Sequence, residues 1–229
     1  SFACCVLQRC PSWYAVSDCR GVNRPAARAA KGLDRGASVP SCKPLAASIA
    51  PHYNRRSTMT SPDFSIRDAT LADIPSITRI YAHAVTHTVA TLDTEEPTIA
   101  SQTEWFRHHD ERHPVLVAES GGTVVGWASL SDWSAKAGYS GTAEASVYVS
   151  PECHRQGIGT ALLQALVIRA RDVALHAVVA RISSTNETSL RLARRCGFSD
   201  VGTMKDSGFK FGGYVDVEIL QLILGAVRS

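Results

Sequence analysis

Val147-Tyr148-Val149-Ser150-Pro151-Glu152-Cys153-His154-Arg155-Gln156-Gly157-Ile158-Gly159-Thr160-Ala161-Leu162-Leu163 is the stretch whose reading decides the fold. A β-type run breaks at Ser150-Pro151, crosses a basic, glycine-containing turn and enters an apolar helical pattern. A helix N-terminus presents unpaired N–H groups and about half a positive charge, so it favours an anion. Gly157 and Gly159 let the backbone close on a ligand without obstruction by Cβ. Arg155 and the Thr160 hydroxyl add donors. The pattern fits a phosphate cradle, and it equally fits an ordinary tight strand-to-helix turn.

Outward from this turn, the chain alternates between the two periods. Towards the N-terminus, Phe64–Arg67 alternates like a strand, and Thr70 or Asp73 reads as a helix cap. Ile74, Ile77, Ile80, Tyr81 and Ala84 recur at helical spacing to about Thr86. A polar helix is predicted over Ser101–Arg112, stopped by Pro114. Val115–Ala118 and Val124–Leu130 read as strands joined by a Gly121-Gly122 hairpin turn. A loop carrying Trp133, Lys136 and Tyr139 leads to a strand over Ala143–Val149. After the quoted stretch, Ile158, Leu162, Leu166 and Ala170 form a helical stripe. Ala177–Ile182 is a strand, Glu187–Cys196 a short helix ended by Gly197, and closing strands fall near Val201–Lys205 and Tyr214–Leu224. The order βααβββαβαββ predicts a mixed sheet with helices on both faces.

Composition divides the chain in two. The formal charge of +3 averages residues 1–58, with nine Lys/Arg against two Asp/Glu, and residues 59–229, with fifteen against nineteen. The basic excess therefore lies in the N-terminal stretch and gives no reason to expect nucleic-acid binding by the rest. That stretch also holds five of the seven cysteines: Cys4, Cys5, Cys10, Cys19 and Cys42. It lacks an apolar period and is rich in Arg, Ser, Ala and Pro, which predicts a disordered extension. A transit peptide and a small disulfide or metal module are the competing readings. An over-long leader, with Met59-Thr60-Ser61-Pro62 as the working start, is favoured over both. No run of about 18 apolar residues occurs, so no transmembrane helix is expected. Cys153 and Cys196 cannot form a disulfide framework, which suits a reducing cytoplasm. The remaining 59–229 has the length of one domain with its own core.

Two nucleotide motifs are excluded. No Gly-Lys-Ser/Thr occurs, so there is no P-loop, and the third position of a dinucleotide fingerprint is Leu162 rather than glycine. Metal binding by His83 with His87, or by His109 with His113, has helical spacing but no third ligand nearby.

Period-two alternation places Glu144, Ser146, Tyr148 and Ser150 on one face of their strand, unless a bulge shifts the register. Such a polar face in a covered sheet lines a site. The bland alternative is that Glu144 simply pairs with a neighbouring arginine.

Several motifs together resemble one family. V-Y-V-S-P, the turn H-R-Q-G-I-G and the later N-E-T-S-L-R-L-A-R-R-C-G-F (186–198) are similar to the GNAT N-acetyltransferase superfamily. T-A-E-A-S-V-Y-V-S-P (142–151) and G-F-K-F-G-G-Y-V-D-V (208–217) more closely resemble its phosphinothricin N-acetyltransferase group. The resemblance runs in register from about Ile66 to Leu222. It implies a mixed α/β (α+β) fold with a mostly antiparallel sheet of about seven strands flanked by about four helices. It also implies acetyl-CoA as co-substrate, no metal, and a homodimer.

Carried onto this chain, the resemblance makes Arg155, Gln156, Gly157, Ile158, Gly159 and Thr160 the pyrophosphate cradle. Val147, Tyr148 and Val149 would pair with the pantetheine amides, as an added strand does. Asn186 and Ser189 would lie near the cofactor's thioester arm. Glu144, matching the glutamate of T-A-E, would be the general base, and the N–H of Tyr148 or Val149 would face the oxyanion. Trp133, Lys136 and Tyr139, with Leu92, would bind the amine substrate. Where the group has Gln or Arg, this chain has His154; where it has an acid, this chain has Ala193. Lys136 replaces an arginine and loses the bidentate fork. Tyr148, Tyr214 or solvent would then protonate the leaving thiol.

The implied activity is acetyl transfer from acetyl-CoA to the α-amine of a small amino acid or analogue, such as phosphinothricin, methionine sulfone or methionine sulfoximine. The alternatives are a protein or peptide N-acetyltransferase and a non-catalytic acyl-CoA sensor. A sensor has no need of a carboxylate at 144. Neither nucleic acid nor a membrane is an expected partner.

Overall fold

The computed structural model describes residues 63–225. The expectations of a disordered extension over 1–58 and of a start at Met59 lie outside the described residues. Within them the elements run β1 (Ser65–Asp68), α1 (Ile74–His87), α2 (Ile99–Arg107), β2 (Val115–Ser120), β3 (Thr123–Asp132), β4 (Thr142–Val149), α3 (Ile158–Asp172), β5 (Ala177–Ser183), α4 (Glu187–Arg195), β6 (Ser199–Lys210) and β7 (Gly213–Ile223). This is the predicted order.

The strands form one sheet, β1-β2-β3-β4-β5-β7-β6. Neighbours are antiparallel except β4 and β5, which run parallel. A parallel neighbour requires a crossover, and α3 supplies it. Seven of the ten residues of β3 are buried, which is why Val124–Leu130 reads as a continuous apolar run rather than an alternation. The hairpin between β2 and β3 turns on Gly121 and Gly122 with φ of 55° and 76°, the left-handed conformation that such a two-residue turn requires.

Alternating residues feed two cores, one on each face. Leu162, Leu166 and Ala170 of α3 and Leu190 of α4 pack with Ala128, Leu130 and Ala143 on one face. Ile77, Ile80, Tyr81 and Val85 of α1 pack with Val117 and Trp127 on the other, where Trp105 and Phe106 of α2 and Tyr148 join them. Both candidate caps before α1 are used. Thr70 and Asp73 bond reciprocally around a 3-10 turn over Leu71–Asp73, and Asp73 is the cap of α1 itself.

Two boundaries differ from expectation. Helix α2 starts at Ile99, because the Thr98 side chain accepts the Ser101 N–H. It ends at Arg107, because the His108 and His109 rings contact the Glu104 and Trp105 carbonyls at 2.7 and 2.8 Å, occupying acceptors that a further turn would use. Strand β6 continues five residues past Lys205. It passes an irregularity between Met204 and Gly208, where Asp206 adopts a φ of 48° and its N–H donates to Asp216 at 2.9 Å. Asp206-Ser207-Gly208 reads as a loop in sequence because it has turn residues; here they make a bulge.

Candidate active site

The two central parallel strands separate. β4 pairs with β5 only over Thr142–Glu144, opposite Ala177–Val179, whereas β4 pairs with β3 without a register shift from Ala143 to Val149. No bulge interrupts β4, so the predicted alternation of Glu144, Ser146 and Tyr148 holds. From Ala145 to Val149 the β5-facing edge of β4 is left without a strand partner.

Which backbone groups line that edge follows from parity, since successive residues of a strand turn their N–H and C=O groups to opposite neighbours. The Ser150 N–H donates to Val125 of β3 at 2.8 Å, so Tyr148 and Ser146 also turn towards β3. Ala145, Val147 and Val149 therefore face the gap. Of the three residues expected to pair with a cofactor arm, Val147 and Val149 present backbone groups there. Tyr148 directs its backbone to β3, because even-numbered positions complete the β3 ladder. The His154 Nε2 lies 3.0 Å from the Val149 carbonyl oxygen. His154 thus closes the last acceptor of the open edge as the chain turns into α3.

At that turn Gly157 is the N-cap of α3, with φ 84° and no side chain to cap the first amides. The first-turn N–H groups are left for an anion. A Cβ on Gly157 would meet nothing within 4 Å, whereas one on Gly159 would lie 2.9 Å from Leu192 of α4. The two glycines have different causes: Gly157 provides a left-handed backbone in open space, and Gly159 admits α4. Arg155, at φ 61°, and Gln156 are exposed around the turn, while Ile158 is buried and Thr160 half-buried. Asn186 caps α4, its side-chain oxygen accepting the Ser189 N–H at 3.2 Å. The Asn186 amide NH2 group remains as a donor.

Glu144 stands where β4 and β5 part. Both its oxygens accept from Arg181 of β5, Nε at 2.7 Å and Nη2 at 2.6 Å. The Glu144 side chain is 12 % exposed and that of Arg181 25 %. The Arg181 guanidinium also lies 5.6 Å from the centre of the Trp133 ring, within cation–π range. The sequence reading named Glu144 and Trp133 but not the residue between them. A signal existed: Arg181 interrupts the apolar run Ala177–Ile182, and a charge on a buried strand requires a partner.

A second polar group lies on the same face. The Tyr81 hydroxyl is 2.5 Å from Asp93 and 3.0 Å from the Thr91 hydroxyl. The buried Lys210 ammonium donates to the Thr91 carbonyl at 2.7 Å. Burial pushes the Tyr148 phenol well above the ordinary tyrosine range, with Asp93 and Glu144 adding to the shift, against hydrogen bonds from Thr91 and Tyr81. Leu92, between Thr91 and Asp93, packs on Gly208 so closely that a Cβ there would be 2.4 Å from it. Lys136, which precedes a 3-10 turn over Ala137–Tyr139, and Tyr139 at its end are exposed. Ala193 is 2 % exposed, in the core, and Tyr214 is 71 % exposed, its ring against Phe209. The paired histidines make other contacts: His83 and His87 stack 4.6 Å apart, and His113 lies between Asp110 and Asp132. Among the described residues no three His, Cys, Asp or Glu are grouped to hold a metal ion.

The family model described as Acetyltransferase (GNAT) family matches residues 75–198, a span that takes in α1, the open β4 edge, the turn into α3, and α4. The chain belongs to the GNAT acetyltransferase family. Its GNAT relatives include the L-methionine sulfoximine/L-methionine sulfone acetyltransferase of Pseudomonas paraeruginosa, 43% identical over 72% of this chain and 97% of that protein. The phosphinothricin N-acetyltransferase of Alcaligenes faecalis is 35% identical over 67% of this chain and 79% of its own length. An acetyltransferase of Salmonella typhimurium, solved with its cofactor acetyl-CoA, superposes with a TM-score of 0.71 at 38% identity, covering 73% of this chain and 97% of that one. As a GNAT enzyme this chain is an N-acetyltransferase that uses acetyl-CoA, and its own residues fit that molecule. The open edge at Ala145, Val147 and Val149 suits an extended diamide arm, and the uncapped amides after Gly157 suit a pyrophosphate.

Proposed function

We propose that the enzyme acetylates the α-amine of a small amino acid or amino-acid analogue of the methionine sulfone, methionine sulfoximine or phosphinothricin type. The observation that carries this reading is the position of Glu144, a half-buried carboxylate beside the first residue of the open β4 edge. The substrate class draws on relatives named for such amino-acid analogues.

Acetyl-CoA, when bound, supplies an activated acetyl thioester. Arg155–Thr160 hold its pyrophosphate, and Val147 and Val149 hold its arm, with Asn186 and Ser189 nearby. An ammonium has no lone pair, so Glu144 must take a proton from the substrate amine, directly or through a water, before attack. The N–C bond would then form as the C–S bond breaks, and the acylated nitrogen would release its remaining extra proton to solvent. The N–H of Val149, facing the gap, is the better placed donor for the developing oxyanion; that of Tyr148 serves β3. CoA leaves as a thiolate with a pKa near about 8.5 by analogy with cysteine. Burial makes Tyr148 a weaker acid than an ordinary tyrosine and so a poor donor to such a group, and Ala193 has no proton to give. Solvent protonates the thiolate.

Trp133, Lys136, Tyr139 and Leu92 are proposed to border the amine. A homodimer is also proposed, supported by Val201, Met204 and Phe209 exposed along the edge strand β6; a solution mass of two chains is the check. The proposed compartment is the cytoplasm, where Cys153 and Cys196 stay reduced.

The test is thiol release from acetyl-CoA across a panel of amines. Turnover is expected with methionine sulfone, methionine sulfoximine or phosphinothricin, and weaker or no turnover with peptide and aliphatic amines. Turnover confined to peptide amines would overturn the substrate class. Cofactor binding without turnover of any amine would favour a sensor.

A further inference from the structure

Arg181 remains outside the acetylation chemistry described above, although it holds both oxygens of the proposed base. Its bidentate bond to Glu144 lies at the parting of β4 and β5, with Trp133 over the guanidinium and a quarter of the Arg181 side chain open to solvent. A free α-amino acid is a zwitterion, a carboxylate and an ammonium on one carbon. The Arg181–Glu144 pair is its complement, a planar cationic fork beside an anion. Lys136, exposed just before the 3-10 turn, is a point charge without such a fork.

The geometry points to Arg181 as the receptor for the substrate's α-carboxylate, so that an incoming zwitterion exchanges partners with the resting pair. The substrate carboxylate takes the two N–H donors that held Glu144, and Glu144 turns to the ammonium. Charge balance is kept, because one ion pair opens as two form. This meets the requirement that partly buried charges stay paired. It also frees the base only when an amine carrying an adjacent carboxylate is present. Trp133 limits the directions the guanidinium plane can take, which keeps the fork on the site as its partner changes. The assignment rests on the amino-acid reading proposed above and narrows it: the substrate is a free amino acid, and blocking its carboxylate removes the main recognition element.

The experiment compares kcat/KM for L-methionine sulfone and for its carboxamide, with wild type, Arg181→Lys and Arg181→Gln. Arg181→Lys keeps a positive charge beside Glu144 and so protects the fold, which thermal unfolding verifies. Wild type is expected to prefer the free acid by at least about tenfold, since recognition of a charged group is at stake. Both variants should lose most of that preference because kcat/KM falls for the acid but not for the amide, which gains where loss of the fork releases Glu144, with the KM for acetyl-CoA unchanged. A parallel fall for acid and amide would show that Arg181 only positions Glu144, and would overturn the inference. Equal wild-type rates for acid and amide would overturn it too, while leaving amino-acid acetylation standing. If wild type acetylates neither, the proposed function itself fails, and this assignment fails with it.

Discussion

At the scale of single residues, glycine and charge carry the site. Gly157 holds φ 84° with nothing near its missing Cβ, so Gly157→Ala acts through backbone strain rather than a clash. The left-handed penalty for an L-residue is about 1–2 kcal/mol. Gly157→Ala should lower unfolding stability by about that much in a denaturant titration, and raise the KM for acetyl-CoA several-fold without changing the KM for the amine. An amine KM that moves equally would detach the turn from the cofactor. The turn proposed as the cradle was legible in the sequence, because a glycine pair between a strand and a helix is a local pattern. The separate causes of Gly157 and Gly159 were not, because Leu192, which excludes a Cβ at Gly159, lies on another helix. Arg181 was missed for the same reason: nothing local joins residue 144 to residue 181. The competing reading of Glu144, a bond to a neighbouring arginine, describes a real contact, and that contact is compatible with a role as base.

At the scale of elements, capping sets both helix position and acid response. The Arg67 guanidinium, donating to both Asp73 oxygens, holds that carboxyl down at about 2, helped by the Thr70 N–H and hydroxyl. Its folded value lies below its unfolded one. The stabilisation is therefore complete above the unfolded value near 4 and is lost as pH falls towards 2. Arg67 is 39% exposed, so solvent screening reduces the effect to roughly 1 kcal/mol. Asp73→Asn should flatten the pH dependence of stability by that amount between pH 4 and 2, and cost about 1 kcal/mol at neutral pH through the lost ion pair with Arg67, since asparagine keeps a capping oxygen. A slope unchanged from wild type would remove Asp73 from the acid response. The start of α1 was legible because Thr70 and Asp73 are capping residues at the right spacing. The end of α2 was not, because histidine rings bonding to the last carbonyls leave no simple pattern. The length of β6 was hidden by Asp206-Ser207-Gly208, turn residues that the Asp216 carboxylate holds within a strand.

At the scale of the whole molecule, one sheet separates two cores and is itself divided between β4 and β5. The element order predicted helices on both faces, and α3 with α4 on one face and α1 with α2 on the other fulfil it. The parting of the parallel strands was not written in any one segment; it comes from the pairing that β4 keeps with β3 and gives up with β5 after Glu144. That parting gives the enzyme an open backbone edge with a carboxylate at its closed end, on which the proposed chemistry depends. The most direct measurement is the pH dependence of kcat/KM for an amino-acid substrate with wild type and Glu144→Gln. A general base contributes about 10²–10⁴-fold, so the variant should be at least about a hundredfold slower at pH 7. Its deficit should narrow as rising pH deprotonates the amine in solution, with the KM for acetyl-CoA unchanged. A variant as fast as wild type at pH 7, or a deficit that stays constant up to alkaline pH, would contradict the assignment of Glu144 as the base.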